Sequence, residues 1–200
     1  FKYYKNIILG MREIEIDQMS KRYIKSKPFS KKTLYLGYIL AFALFIFALI
    51  SHNHGLLWLF LTLLSAVMNY HIDMMTIRAN IAPHLFSSLL ITRTMGIGSA
   101  LSMLVISTLF VHIYTGRLDK DTLFGFIMYI AVNMIMFFLP GVNFVILGIV
   151  LVALKFLVCL GMNLMLEVSI QEIIFEHVAG FLSNILLFLI LGEVAIGLFK

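Results

Sequence analysis

The chain contains six long apolar runs, each about as long as a helix that crosses a lipid bilayer. A bilayer core of about 30 Å is crossed by about 20 apolar residues in helical conformation. Of the 200 residues, 62% are hydrophobic and 12% are charged, which leaves no room for a water-soluble catalytic domain. The sequence therefore predicts an all-α, polytopic membrane protein with six transmembrane helices. The runs cover approximately residues 33–50, 55–70, 95–114, 122–139, 144–164 and 179–199.

The N-terminal segment, residues 1–30, differs from the runs because it is charged and amphipathic. The apolar residues Tyr4, Ile8, Met11 and Ile14 have the spacing of one helical face, with Lys and Arg on the other faces. This pattern is typical of a helix that lies along a membrane surface. We therefore expect residues 1–30 to form an amphipathic interfacial helix.

Two polar interruptions divide the six-span domain, which we expect to cover residues 31–200. In the first, residues 71–94, Asn80 can cap a helix that starts near Pro83, because asparagine is favoured at the N-cap and proline in the first turn. In the second, residues 166–178, acidic and amide side chains recur four residues apart between apolar ones. The first interruption predicts a cytoplasmic segment, and the second predicts an external amphipathic helix in the outer leaflet.

Positive charge is concentrated near the start of the sequence, since nine of the fifteen Lys and Arg residues precede residue 33. In a membrane protein this skew marks the cytoplasmic side, so the net charge of +5 indicates topology rather than nucleic-acid binding. An even number of spans then places both termini in the cytoplasm, together with residues 71–94 and the turn at Pro140. We expect a multi-pass protein of a cell membrane, in a bacterium.

Lys155 and Glu193 are the ionisable residues that lie well inside apolar runs. Because charge within a membrane is costly, such residues are candidates for function and are expected to face the bundle interior. Both are candidates for lining a transport path, either as an ion pair or as separate side chains that reach towards the nearest interface. Arg93 stands at the start of the third run, where we expect it to anchor that span at the inner membrane face.

The residues also disfavour several kinds of chemistry. Cys159 is the only cysteine, so neither an intrachain disulfide nor a cysteine-based metal cage can form. His52 and His54 could supply two imidazole ligands, which is half of a metal site. We expect them to form a polar turn instead, and we assign no metal site. The sequence shows no membrane-protease motif and no nucleotide-binding glycine pattern. We therefore expect no enzyme activity and no ATPase machinery in this chain.

The order of these parts resembles the permease subunits of type 2 ATP-binding-cassette exporters, the group that includes polysaccharide, drug and bacterial peptide-toxin exporters. Many of these permeases carry the motif Ser-Leu-Pro-Ile-Ser/Thr-Arg just before the third span. Here the sequence SLLITR at residues 88–93 occupies that place, with Leu90 instead of the proline. The resemblance in architecture covers nearly the whole chain, whereas the motif covers only this short stretch.

The resemblance implies a permease that exports an amphipathic or hydrophobic substrate, such as a peptide, a drug or a lipid-like molecule, by alternating access. Exporters of the phenol-soluble-modulin kind are the nearest group within the family. The resemblance also implies a second permease chain, in a homo- or heterodimer, and a separate cytoplasmic ATPase subunit that binds ATP and magnesium. Membrane lipid is an expected partner, and nucleic acid is not. The residues implied to couple the permease to the ATPase are Asp73, Arg78, Asn80, Pro83, His84 and Arg93.

Two other functions remain open on the sequence. Thr33 and Thr122 each begin a run with Thr-Leu and an aromatic residue. A true inverted repeat would make the chain a six-span half of a major-facilitator-type secondary transporter, with substrate contacts near mid-membrane at Lys155 or Glu193. The third hypothesis is a non-transporting membrane protein with an immunity or anchoring role.

Overall fold

The computed structural model describes residues 29–74, 83–116, 118, 120–165 and 177–199. In this part of the chain every regular element is a helix, so the all-α prediction is confirmed. Six of the helices coincide with the six apolar runs to within a few residues at each end. The helices are α1 Lys31–Ser51, α2 His54–Met74, α3 His84–Met95, α4 Ile97–Thr115, α5 Lys120–Phe138, α6 Phe144–Met165 and α7 Ala179–Phe199.

Five of these helices, α1, α2, α4, α6 and α7, are long and apolar enough to cross a membrane. The apolar part of α5 is shorter and covers Thr122–Phe138. The chain is therefore a multi-pass helical membrane protein, and the described residues contain five candidate spans where six were predicted. The interfacial helix predicted for residues 1–30 and the external insertion predicted for residues 166–178 lie almost wholly outside the described residues.

Helices α1 and α2 form a hairpin whose two ends are capped by side chains. The hydroxyl of Ser30 accepts a hydrogen bond from the backbone N–H of Thr33 (3.2 Å), which is a standard N-cap contact. In the turn between the helices, Asn53 Oδ1 accepts from the N–H groups of Gly55 (2.8 Å) and Leu56 (3.3 Å). These caps explain why the polar turn at residues 51–54 separates two long helices so sharply.

Helices α2 and α4 run in the same direction. Near their starts, Trp58 Nε1 donates a hydrogen bond to the carbonyl oxygen of Ser99 (2.8 Å). Near their ends, Thr115 Oγ1 donates to Asp73 Oδ2 (2.8 Å). Two spans joined by a loop at one membrane face are antiparallel, so this parallel packing requires the chain to return between them. We name the two ends of the bundle the Asp73 end and the Arg93 end.

Helix α3 forms part of this return. Its 12 residues are about 18 Å long, little more than half of a membrane-spanning helix. At its start, the ring of His84 packs edge-on against Tyr129, in the middle of α5, with 5.4 Å between ring centroids. At its other end, Arg93 donates hydrogen bonds to the backbone carbonyl oxygens of Leu139 (3.1 Å) and Val142, just after α5. Helix α3 therefore begins midway through the bundle and finishes at the Arg93 end.

This return contradicts the predicted topology, in which residues 71–94 were a cytoplasmic interruption between antiparallel spans. At the Asp73 end, the backbone N–H of Phe29 donates to the hydroxyl oxygen of Tyr70 (2.6 Å). At the other end, Phe199 lines a cavity together with Arg93. The first and last described helices therefore start and finish at opposite ends of the bundle. The described helices therefore do not begin and end on one side, because α3 adds a crossing, and the prediction that both termini are cytoplasmic stays a prediction.

Helices α6 and α7 pack closely through two glycines. A Cβ atom at Gly148 would collide with the ring of Phe188, and a Cβ atom at Gly192 would lie 2.6 Å from Val145 Cγ2. Small residues of this kind let two helix backbones approach each other, which is a main source of helix association in membranes. Close packing of this pair places α7 against α3, which it contacts directly.

We expect Gly148→Ala to destabilise the protein by about 1–3 kcal/mol, because the added methyl group overpacks the contact with Phe188. Gly161→Ala on the same helix is the matched control, since a Cβ atom there meets nothing within 4 Å. The control should be neutral or stabilising by up to about 1 kcal/mol, through the higher helix propensity of alanine. The free energy of unfolding in detergent micelles can be measured for both variants. Equal changes in the two variants would contradict the close contact between Gly148 and Phe188.

Candidate functional site along helix α3

Helix α3 lies at the centre of the bundle and carries its most concentrated polar surface. Every residue from His84 to Thr92 is at most 5% exposed. Five helices surround it, namely α2, α4, α5, α6 and α7. Because α3 is covered by protein rather than by lipid, it can carry hydroxyl groups at Ser87, Ser88 and Thr92 without exposing them to hydrocarbon.

Asn133 on α5 joins two turns of α3. Its Oδ1 accepts a hydrogen bond from Thr92 Oγ1 (2.6 Å), and its Nδ2 donates to Ser88 Oγ (3.0 Å). The same amide nitrogen also donates to the carbonyl oxygen of Tyr129, one turn earlier on α5 (2.7 Å). Asn133 is fully buried, so both hydrogens of its amide nitrogen are used within the protein. These contacts fix the rotation of α3 relative to α5.

Asn184 on α7 caps the start of α3. The first backbone N–H groups of any helix have no partner within that helix, and in lipid they would be costly to leave unpaired. Asn184 Oδ1 accepts from the backbone N–H of Phe86 (3.2 Å), and its Nδ2 donates to the carbonyl oxygen of Gly180 (2.8 Å). The cap is therefore supplied by a different helix, which allows α3 to begin inside the bundle.

Lys155 on α6 lies close to the same helix start. Its ammonium nitrogen is 4.5 Å from the centroid of the Tyr129 ring, a cation–π distance. The same ring packs nearly perpendicular to the ring of His84, so Tyr129 contacts both the lysine and the imidazole. Beside them is a small cavity of ≈ 30 Å³, with Lys155, His177 and Asn184 in its lining. This volume admits a water molecule but no larger solute.

A much larger polar cavity of ≈ 460 Å³ lies at the Arg93 end. Arg93 and Glu193 both line it, so the two opposite charges face one space. Asn143 Nδ2 donates to Glu193 Oε1 (3.0 Å), which holds the carboxylate at the start of α6. Thr94 and His54 add further polar groups to the wall. A cavity with both charge signs and neutral polar groups suits a polar or amphipathic solute better than a purely apolar one.

Asp73 belongs to a buried polar contact between α2 and α4 at the opposite end. Its carboxylate is held by the hydroxyl of Thr115, and His112 Nδ1 lies 2.9 Å from Asp73 Oδ2. Between the two ends, Asn69 Nδ2 donates to the carbonyl oxygen of Ser107 (3.0 Å). Ser107 lies in a π-helical turn, Val105–Phe110, an irregularity that is frequent at functional sites.

Several buried hydroxyl groups have no hydrogen-bond partner among the described residues, and all of them lie on α2, α3 and α4. Buried polar groups are normally paired, so a group of unpaired ones requires an explanation. The imidazole Nδ1 of His84 belongs with them, at the start of α3. The hydroxyl groups are those of Ser65, Ser87, Ser107 and Thr108.

The structure corrects the predicted ATPase-coupling surface. Asp73, Pro83 and His84 are buried inside the bundle, so they offer no surface to a soluble subunit. These residues therefore do not form the exposed surface that was predicted for them, whereas coupling to an ATPase through a cytoplasmic helix stays a prediction. An exposed position was predicted because the polar residues of α3 were assumed to face water. In the structure α3 is surrounded by other helices. Arg78 and Asn80 lie outside the described residues.

The predicted charged residues are also separated. Lys155 contacts Tyr129, whereas Glu193 is bonded to Asn143 at the Arg93 end. The ion pair between Lys155 and Glu193, one of the two alternatives, is not formed. Arg93 does lie at one end of the bundle, but its guanidinium binds backbone carbonyl oxygens after α5.

Sequence reasoning missed the uncharged polar residues that organise the site. Asn133 and Asn184 stand inside apolar runs, where an amide is as unusual as a charge is. Only ionisable residues within spans were predicted as candidates, although amide side chains serve as interhelical contacts in membranes. Gly96, within the third apolar run, has a φ of 90° and marks the break between α3 and α4.

Comparison with known protein families, with characterised proteins and with solved structures gave no match. A functional hypothesis for this chain therefore rests on the geometry of the bundle and on the residue chemistry described above.

We expect Asn133→Leu to destabilise the protein by about 1–3 kcal/mol, since it removes two contacts to α3 and leaves the Thr92 hydroxyl unpaired. Met134→Leu is the control, because Met134 is the next residue in the chain and its side chain is 45% exposed. This substitution should have little effect on stability. Reversible unfolding in micelles measures the difference. If Asn133→Leu is as stable as the control, Asn133 does not hold α3 in place.

Proposed function

We propose that the protein is a membrane transport protein, a permease whose solute path follows helix α3. The observation that supports this most strongly is a short polar helix that begins midway through the bundle and ends at a polar cavity. Interrupted spans of this kind are typical of transporters, which bind their substrates at such helix ends near mid-membrane. We place the protein in a cell membrane.

The path we propose begins at the cavity lined by Arg93 and Glu193 and continues along α3 towards Lys155. The unpaired hydroxyl groups of α2, α3 and α4 supply hydrogen-bond partners to a solute or to water that moves along the path. A purely structural bundle gains nothing from unpaired buried hydroxyl groups, since each costs stability. Their presence therefore supports transport over an anchoring or immunity role.

Two energy sources are compatible with this proposal, namely an ion gradient and ATP hydrolysis by a separate subunit. Transport driven by an ion gradient needs only the interrupted helix and its polar neighbours. The ATP-driven exporter, with a second permease chain and a separate ATPase, is supported by the motif at residues 88–93. However, that motif lies in buried α3 and ends at Arg93, which binds the protein backbone. We therefore propose an ion-gradient transporter, with the ATP-driven exporter as the second candidate.

Transport can be tested in liposomes with a fluorescently labelled amphipathic helical peptide as the probe. We expect the wild-type protein to move the peptide several-fold faster than empty liposomes when a proton gradient is imposed. MgATP with a co-purifying ATPase subunit is the second arm of the experiment. A rate that depends on this ATPase would overturn the ion-gradient form, and no peptide movement in either arm would contradict the proposed function.

Ser87→Ala and Ser102→Ala separate a transport role from a structural one. Among the described residues, Ser87 is buried on α3 without a hydrogen-bond partner, whereas Ser102 on α4 donates to the carbonyl oxygen of Ser99 in its own helix. We expect Ser87→Ala to reduce the transport rate by up to about tenfold, the value of one hydrogen bond, without loss of stability. Ser102→Ala should leave the rate unchanged. Equal rates in the two variants would contradict a path along α3.

A further inference from the structure

An apolar groove on the outer surface of the bundle lies apart from α3 and its cavities. It has a volume of ≈ 430 Å³ and is formed by α1, α2 and α4 towards the Asp73 end. Its wall is almost wholly hydrocarbon and aromatic. Among its lining residues are Phe29, Leu34, Ala66, Val67, Phe110 and Val111.

The groove lies where membrane lipid surrounds the protein. Helix α1 is a candidate span that packs mainly on α2, and its other faces are exposed. Leu36 and Phe42, for example, are both 65% exposed, as expected for side chains that contact lipid. An acyl chain can therefore enter the groove from the side, without crossing any protein barrier.

The groove has a wall of aromatic rings at its outer end. The ring of Phe29 stacks on Tyr114, with 5.3 Å between centroids and 11° between planes, and lies 4.8 Å from Tyr70. The hydroxyl oxygen of Tyr70 accepts the Phe29 N–H, so its own proton remains available to another acceptor. Tyr70 and Tyr114 lie near the ends of candidate spans, and tyrosines at span ends are typical of the membrane interface, where headgroups begin.

Positive charge stands at the same end of the groove. Lys31 and Lys32 are exposed and lie between Phe29 and Thr33, both of which line the groove. They also form the first turn of α1, whose N-terminus carries partial positive charge and favours a phosphate group. Basic side chains next to a span attract acidic phospholipids. The charge of this end is therefore complementary to an anionic headgroup.

We propose that this groove is a binding site for an acidic phospholipid. One acyl chain lies in the groove between α1 and α4, and the phosphate lies at the first turn of α1 beside Lys31 and Lys32. This proposal is independent of the transport function, because none of its residues belongs to α3 or its cavities.

Native mass spectrometry of the full chain tests the proposal, with phosphatidylglycerol and phosphatidylcholine of identical acyl chains as the probes. We expect phosphatidylglycerol to bind more than tenfold more tightly. Lys31→Gln and Lys32→Gln should each weaken it about fivefold, since each lysine contributes about 1 kcal/mol. Equal affinity of the wild-type protein for the two lipids would overturn the proposal, and so would wild-type affinity for phosphatidylglycerol in both lysine variants.

Leu34→Trp and Leu36→Trp test the groove itself. Leu34 lines the groove, whereas Leu36 on the same helix does not and is 65% exposed. We expect Leu34→Trp to fill the groove and reduce the affinity for both lipids about tenfold, and Leu36→Trp to leave it unchanged. Ala66→Leu on α2 fills the same space and replaces Leu34→Trp if that variant does not fold. Wild-type affinity in a folded groove variant would place the lipid elsewhere and contradict the proposal.

Discussion

A helix cannot begin in the middle of a membrane unless protein groups bind its first backbone N–H groups. In this bundle Asn184 provides that contact to α3, and Asn133 holds the next turns of the same helix. The remaining architecture follows from these contacts, since α3 returns the chain and makes α2 and α4 parallel. The Arg93 contacts to the carbonyl oxygens after α5 then fix the other end of α3.

Hydropathy predicted the six longer helices well because their outer faces contact lipid, and only apolar side chains are stable there. Helix α3 was predicted as a helix but placed in water, because its Ser, Thr, His and Arg residues lower its hydropathy. A helix enclosed by protein on all sides does not need an apolar surface. Composition alone therefore cannot distinguish it from a surface helix. Because α3 was not counted as a crossing, the predicted end of the bundle was reversed for every element that follows it.

The candidate site was predictable in part. Arg93, Lys155 and Glu193 were identified from charge within or beside apolar runs, and His84 from the family resemblance; all four lie on α3 or line a cavity or ring contact beside it. Their grouping was not predictable, since it depends on where α3 lies relative to α5, α6 and α7. The chemistry that joins them comes from uncharged amide and hydroxyl groups, which hydropathy weighs only weakly. This enclosed arrangement is the observation from which we propose a transport role.

The parallel arrangement of α2 and α4 is the claim on which this account depends most. Spin-label distances test it directly, with labels at Met74→Cys paired with either Tyr114→Cys or Gly98→Cys in a Cys159→Ala background. Helix α4 rises about 24 Å between residues 98 and 114. If α2 and α4 are parallel, the distance from residue 74 to residue 114 is short, and the distance from residue 74 to residue 98 is longer by about 20 Å. The reverse order would show that α2 and α4 are antiparallel and that α3 does not return through the bundle.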